Sequence, residues 1–135
     1  MKCDFTNETV FSFEGPNLCL LGDEKDFRKL SESILELTDI SKTYSIQLTG
    51  LDFIENVGIE KNIFFESKEN SMEFGVLNEK KDLLFKLDHR VWERLFRYFV
   101  LMSWYKRTYY LNSYESYLQY FSLEQECNFI CSSSY

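Results

Sequence analysis

The feature that most constrains the fold is a series of short apolar segments between residues 44 and 87, each bounded by turn residues. The segment Tyr44–Leu48 alternates apolar and polar side chains, which predicts a strand with one buried face. Three further segments, Ile63–Phe65, Met72–Val76 and Leu83–Leu87, predict three more strands. Because the connections between them are short, the pattern favours an antiparallel meander over parallel β-α-β units.

Helical periodicity flanks this strand-rich region on both sides. Asp23 is a predicted N-cap, and apolar residues at helical spacing predict a first helix that continues to about Thr38. Asp88 is the predicted N-cap of a longer helix over residues 89–106, which has a wide apolar stripe. A third helix is predicted to begin at Asn112 or Ser113.

The two ends of the chain complete the predicted architecture. At the start, Val10–Phe13 and Leu18–Leu21 flank the turn residues Glu14–Asn17 and predict a β-hairpin. The tail Cys127–Tyr135 is expected to fray. The predicted fold class is therefore α+β, with an antiparallel sheet of five or six short strands and about three helices packed mainly on one face.

Length and composition indicate one domain that covers residues 1–135. Hydrophobic residues make up 44% of the chain, and there are only one Pro and five Gly, so a core can form without linker-like segments. The first residues lack the apolar stretch of a secretory signal, and no apolar run approaches the ~20 residues that cross a membrane. We therefore expect a cytoplasmic protein with no membrane partner. Its four cysteines are expected to be free thiols. They are Cys3, Cys19, Cys127 and Cys131.

Catalytic motifs are few, so no enzymatic activity, metal or cofactor is expected. The four-residue spacing of Cys127 and Cys131 suits two zinc ligands, but a zinc site needs two more. The sharpest enzymatic hypothesis is a Mg²⁺-dependent nuclease built on Asp52, Glu66 and Lys68, which resemble the acid and acid-x-Lys pattern of restriction-type nucleases. Residues 79–81 match the same acid-x-Lys string, so a solvated hairpin end is the preferred interpretation.

Acidic side chains dominate the charge pattern. The net charge is −7, and residues 1–88 carry 18 acids against 10 bases. Such a surface repels phosphate backbones, which excludes nucleic acid as the expected ligand and favours a basic protein. Two groups of carboxylates are the predicted contacts. The first is Glu32, Glu36 and Asp39, spaced to stack on one helix face, and the second is Asp52, Glu55 and Glu60.

Aromatic residues are concentrated after the long helix. Seven tyrosines lie between residues 98 and 120, and most of them are expected to pack between helices. Tyr105, Tyr109 and Tyr110 fall near the predicted connection between two helices, where full burial of all three is difficult. We therefore predict that these three tyrosines reach a partner, because aromatic rings supply large contact area with few rotatable bonds.

In its size, acidity and order of elements, the chain resembles bacterial toxin-immunity proteins. The resemblance implies an inhibitor whose carboxylates mimic phosphates and pair with the Lys and Arg of a cognate toxin, typically a basic nuclease. It assigns no residue, because no diagnostic motif carries it. Two alternatives remain open: a secretion chaperone that holds an effector in an apolar groove, and the Mg²⁺-dependent nuclease.

Overall fold

A computed structural model describes residues 1–10, 12–58, 61–111, 124–125 and 127–134. This part of the chain contains two α-helices, α1 (Glu24–Ile34) and α2 (His89–Trp104), and the predicted α+β class is confirmed. Neither helix is long and apolar enough to span a bilayer. The predicted third helix and the predicted contact Glu60 lie outside the described residues.

Ten strands form two five-stranded sheets in the described residues. The strands are β1 (Lys2–Thr6), β2 (Asn17–Leu21), β3 (Ser45–Gln47), β4 (Glu55–Val57), β5 (Ile63–Ser67), β6 (Met72–Leu77), β7 (Leu83–Leu87), β8 (Thr108–Tyr110), β9 (Glu124–Gln125) and β10 (Asn128–Ser132). The first sheet has the order β4-β1-β2-β10-β8, and the second has the order β3-β5-β7-β6-β9. Both sheets mix parallel and antiparallel pairs, so the prediction of one antiparallel sheet is wrong.

The predicted N-terminal hairpin is also wrong. Strand β2 pairs antiparallel with β1 and parallel with β10, whereas Val10 and Phe13 form only an isolated bridge with each other. The reason is that β2 is buried on both faces, since all its residues except Leu21 are buried. A strand with two buried faces occupies the centre of a sheet and therefore needs a neighbour on each side.

The C-terminal tail is a central strand and does not fray. Residues 129–132, in β10, are fully buried between β2 and β8. The serines that suggested fraying are hydrogen-bonded: Ser132 Oγ lies 2.7 Å from Thr108 Oγ1, and Ser133 Oγ accepts from the backbone N–H of Arg107. Because the hydroxyl groups have partners inside the fold, burying them carries little cost.

The second sheet departs from a meander because β7 lies between β5 and β6. Strands β5 and β7 are parallel, and β6 is antiparallel to β7, so the short connection after β5 must cross the end of β7. Asp88, the predicted N-cap of α2, holds this crossing. Its carboxylate accepts the backbone N–H of Arg90 at 2.9 Å, as a helix cap, and the backbone N–H of Asn70 in the connection at 2.8 Å.

We expect Asp88→Asn to lower the free energy of unfolding by about 1–2 kcal/mol at pH 7, since hydrogen bonds to a charged acceptor are stronger. Burial acts to raise the pKa of Asp88, but hydrogen bonds from Arg90 and Asn70 outweigh it and the pKa is lowered. A lowered pKa stabilises the fold above the unfolded-state value of about 3.9, and the effect is lost as the pH falls through the folded-state pKa. Urea denaturation at pH 7 and pH 3 measures the difference.

The matched control is Glu93→Gln, which removes an exposed carboxylate that pairs with Arg97 on the surface of α2. This change is expected to alter stability by less than about 0.5 kcal/mol at either pH. A variant at Asp88 that matches the wild type at pH 7 would contradict the assigned role.

One hydrophobic core joins the helices to both sheets. The rings of Phe27 in α1 and Phe99 in α2 are 6.1 Å apart, and His89 Nδ1 at the start of α2 lies 3.1 Å from the carbonyl oxygen of Leu37. The two helices therefore run antiparallel. Trp92 of α2 is fully buried and donates its indole N–H to the carbonyl of Glu66 in β5 at 2.8 Å. These contacts place α2 between α1 and the second sheet.

Candidate protein-binding surface

The first predicted acidic cluster lies where α1 ends. The α-helix stops at Ile34, a 3-10 helix continues over Leu35–Thr38, and Asp39 follows in an extended conformation. The sequence predicted that the three acids stack along one helix face. The structure shows that they do not lie on one continuous helix. Two exposed apolar side chains alternate with these acids along the chain, Leu35 at 52% and Ile40 at 81% exposure. We call this group the corner patch, and its residues are Glu32, Leu35, Glu36, Asp39 and Ile40.

A buried frame holds the corner patch in place. Ile34 and Leu37 are fully buried, so the helix end is anchored on both sides of Leu35. His89 binds the carbonyl of Leu37, which ties the 3-10 helix to the start of α2. His89 itself is only 7% exposed, so its ring belongs to this buried frame. The 3-10 helix is therefore fixed to the core, and Ile40 follows it in a turn that Asp39 closes through Ser41.

The carboxylates of the corner patch differ in their partners. Glu36 forms an ion pair of 2.9 Å with Lys42, whose ammonium lies 5.7 Å from the ring centroid of Tyr44. Asp39 accepts hydrogen bonds from the side chain and the backbone of Ser41, and these bonds lower its pKa. Glu32 is exposed and forms no ion pair within the described ranges. Of the three carboxylates in the patch, Glu36 is therefore paired with an ammonium group and Asp39 is hydrogen-bonded within its own turn.

The second predicted cluster lies at and just before the edge strand β4. Asp52 and Glu55 are both exposed, and Glu55 belongs to β4. Glu55 lines a pocket together with Lys2, Asp23 and Asp26. The next residue, Asn56, lines a different open cleft of about 690 Å³, to which three lysines contribute. Those lysines are Lys61, Lys80 and Lys81.

The three predicted tyrosines have different environments. Tyr105 is 56% exposed, and the guanidinium carbon of Arg107 lies 5.5 Å from its ring centroid. Tyr109 and Tyr110 are half-buried in strand β8, which corrects their placement in a connection between helices. Consecutive residues of a strand point to opposite faces, so these two rings cannot serve one contact surface.

The residues of the nuclease hypothesis lie apart in the sheet. The carboxylate of Glu66 lies 3.9 Å from the ammonium of Lys86. Residue 66 pairs with Ser45 at one end of β3, whereas Asp52 follows the other end of that strand beyond a 3-10 helix, Leu48–Gly50. Within the described residues, no three His, Cys, Asp or Glu side chains are grouped so as to hold a metal ion.

The cysteine side chains are buried. None of the four forms a disulfide within the described residues. Burial raises the pKa of Cys3 to about 12 and that of Cys19 to about 11, and it raises the pKa of Cys131 well above the ordinary value. Because the thiolate is the form that binds metals and attacks electrophiles, these cysteines act as small hydrophobic residues.

The structure is a two-sheet α+β fold with exposed apolar and acidic side chains after α1. Comparison with known proteins finds no family model, no curated protein and no solved structure that matches the chain. The three acids were predicted from their helical spacing, whereas Leu35 and Ile40 were not predicted as part of the surface. A signal for them was present, since both residues fall outside the buried stripe of Phe27, Leu30, Ile34 and Leu37.

Proposed function

We propose that the protein is an immunity-type inhibitor that binds a cognate bacterial toxin through the corner patch. The observation that carries the proposal is the exposure of Ile40, which is 81% accessible and directly follows Asp39 in the chain. An isolated exposed aliphatic side chain needs no explanation, but Ile40 and Leu35 are exposed together among three acids. Protein interfaces have this anatomy, with an apolar centre and a polar rim.

The charge of the rim indicates the chemistry of the partner. Carboxylates beside an apolar anchor complement Lys and Arg side chains, which nucleases use to bind phosphate groups. Long-range attraction of this kind raises association rates toward ~10⁸–10⁹ M⁻¹s⁻¹ at low salt, and a close charge pair contributes ~1.5–7 kcal/mol of coupling. An inhibitor acts where its toxin acts, so we expect the protein to work in the cytoplasm.

The proposal is tested by reversing the charge of the rim while leaving the fold intact. The partner is first isolated by affinity capture from the native host, and the complex is measured by stopped-flow and surface plasmon resonance. Glu32→Lys with Glu36→Lys is expected to slow association at least tenfold at low salt, because the mutated patch repels a basic surface. Asp39 is left unchanged because it orders the turn through Ser41.

The matched control is Glu69→Lys with Glu79→Lys, which changes the net charge equally at two exposed sites outside the patch. Ile40→Ser is expected to accelerate dissociation without changing association, because the apolar centre acts after the encounter. Equal association rates for the two charge-reversed variants would remove the corner patch from the interface. A captured partner that is not toxic when it is expressed without this protein would remove the immunity proposal.

A further inference from the structure

A second exposed apolar group lies at the end of α2, separate from the corner patch. Leu101, Trp104 and Tyr105 are 40%, 73% and 56% exposed. Leu101 and Trp104 are three residues apart in the last turns of α2, and Tyr105 follows in an extended conformation where the helix ends. We call these three residues the helix-end patch. The corner patch adjoins His89 at the start of α2, about 22 Å away along the helix axis.

We infer that the helix-end patch is the interface for a second copy of this chain, related to the first by a twofold axis. The inference does not rest on the proposed function, because it uses none of the residues of the corner patch. A twofold interface is self-complementary: each group on one copy meets its counterpart group on the other. A surface that associates with itself therefore needs an apolar centre and a rim that carries both signs of charge.

The rim of the helix-end patch carries both signs. Lys106 lies directly after Tyr105 and lines a cavity of about 300 Å³ together with Asp23, Glu24 and Lys25 from the start of α1. In a twofold dimer, Lys106 of each copy can approach Glu24 of the other copy, so this ion pair would form twice. A purely acidic partner or an anionic lipid surface would be repelled by the carboxylates of Asp23 and Glu24. The net charge of −7 adds to this repulsion. The mixed rim thus favours a second copy over either.

The exposed area indicates the strength of the contact. A fully buried aromatic side chain covers ~150–250 Å², so the exposed fractions of Trp104 and Tyr105 amount to about 250 Å² per copy. A standard interface buries ~800 Å² per partner, so the two rings supply roughly a third of that area. We therefore expect a reversible dimer with a dissociation constant in the micromolar range, on the order of 10⁻⁵ M.

Sedimentation velocity over micromolar to submillimolar concentrations tests the inference. The wild type is expected to shift from monomer to dimer, whereas Trp104→Ser stays monomeric and keeps its far-UV circular dichroism spectrum because Trp104 is exposed. Lys106→Glu and Glu24→Lys are each expected to weaken dimerisation about tenfold, and the double variant is expected to restore it. An equimolar mixture of the two single variants is expected to dimerise like the wild type, because both pairs across the axis are then complementary, whereas a contact between Lys106 and Glu24 inside one copy would not be restored.

Fluorescence provides an independent measurement, since Trp92 is fully buried and Trp104 is the exposed indole of the two. Acrylamide quenching of Trp104 is expected to fall as the dimer forms. The variant Glu32→Lys with Glu36→Lys serves as a control, and it is expected to dimerise like the wild type. A wild type that stays monomeric at every concentration overturns the inference, and so does a double variant that fails to recover. A blue shift on anionic phosphatidylglycerol vesicles without dimerisation also overturns it and assigns the patch to lipid.

Discussion

Replacement of Phe129 by alanine is expected to lower the free energy of unfolding by about 3–5 kcal/mol, the largest effect of any substitution considered for this protein. Phe129 lies in β10 of the first sheet, but its ring contacts three phenylalanines of the second sheet. The centroid distances are 6.2 Å to Phe65, 6.0 Å to Phe74 and 5.1 Å to Phe85. All four rings are buried, so the truncation leaves a cavity that rigid strands on two sides cannot close.

Chemical denaturation of the purified protein measures this effect, with Phe64→Ala as the matched control. Phe64 belongs to β5 and is half-buried on the opposite side of the second sheet from Phe65, so its truncation is expected to cost only about 1 kcal/mol. An equal loss for both variants would mean that the two sheets do not share one core. The loss at position 129 also identifies the C-terminal strand as a structural part of the domain.

Substitution of Gly75 by alanine is expected to lower the free energy of unfolding by about 2–5 kcal/mol. Gly75 is the bulge residue between Phe74 and Val76 in β6, with a φ angle of +70°. An L-residue in that conformation costs ~1–2 kcal/mol, and overpacking adds ~1–3 kcal/mol. The added Cβ would overlap the sulfur of Cys127, which lies against the backbone of the bulge.

A double-mutant cycle separates these two contributions. In the background Cys127→Ala, the steric part of the penalty is removed, so Gly75→Ala is expected to cost only ~1–2 kcal/mol there. Gly50→Ala is the control, because its nearest contact to an added Cβ is 3.5 Å and its φ angle is not positive. A penalty at position 75 that is unchanged by Cys127→Ala would place the whole effect in the backbone conformation.

The locally encoded elements were predicted with success. The segments 63–65, 72–76 and 83–87 are strands, and Asp23 and Asp88 cap α1 and α2. Each of these features depends on residues within a few positions of one another, namely alternation, helical spacing or a cap. The predicted first helix was too long by one turn, because the 3-10 geometry after Ile34 is held by the contact between His89 and Leu37.

Strand pairing could not be predicted, because it depends on partners that are distant in sequence. Strand β2 has the apolar character of a central strand, but the sequence does not state that its partners are residues 2–6 and 128–132. Similarly, the short connection after β5 predicts a hairpin, whereas Asp88 holds that connection across the end of β7. Both errors arose from preferring the nearest segment as the partner.

The candidate surface was likewise predicted only in part. The acids Glu32, Glu36 and Asp39 were selected from their spacing, and the structure places them at one corner. The apolar centre was missed, because the exposure of Leu35 and Ile40 depends on where the helix breaks and what its buried side contacts.

Local periodicity and composition are enough to predict most elements of this protein, its acidity and its supply of core residues. The neighbours of each strand, the burial of residues 128–132 and the side chains left in solvent emerge only in the folded chain. Burial and strand pairing are contacts between distant segments, and such contacts exist only once the chain has folded.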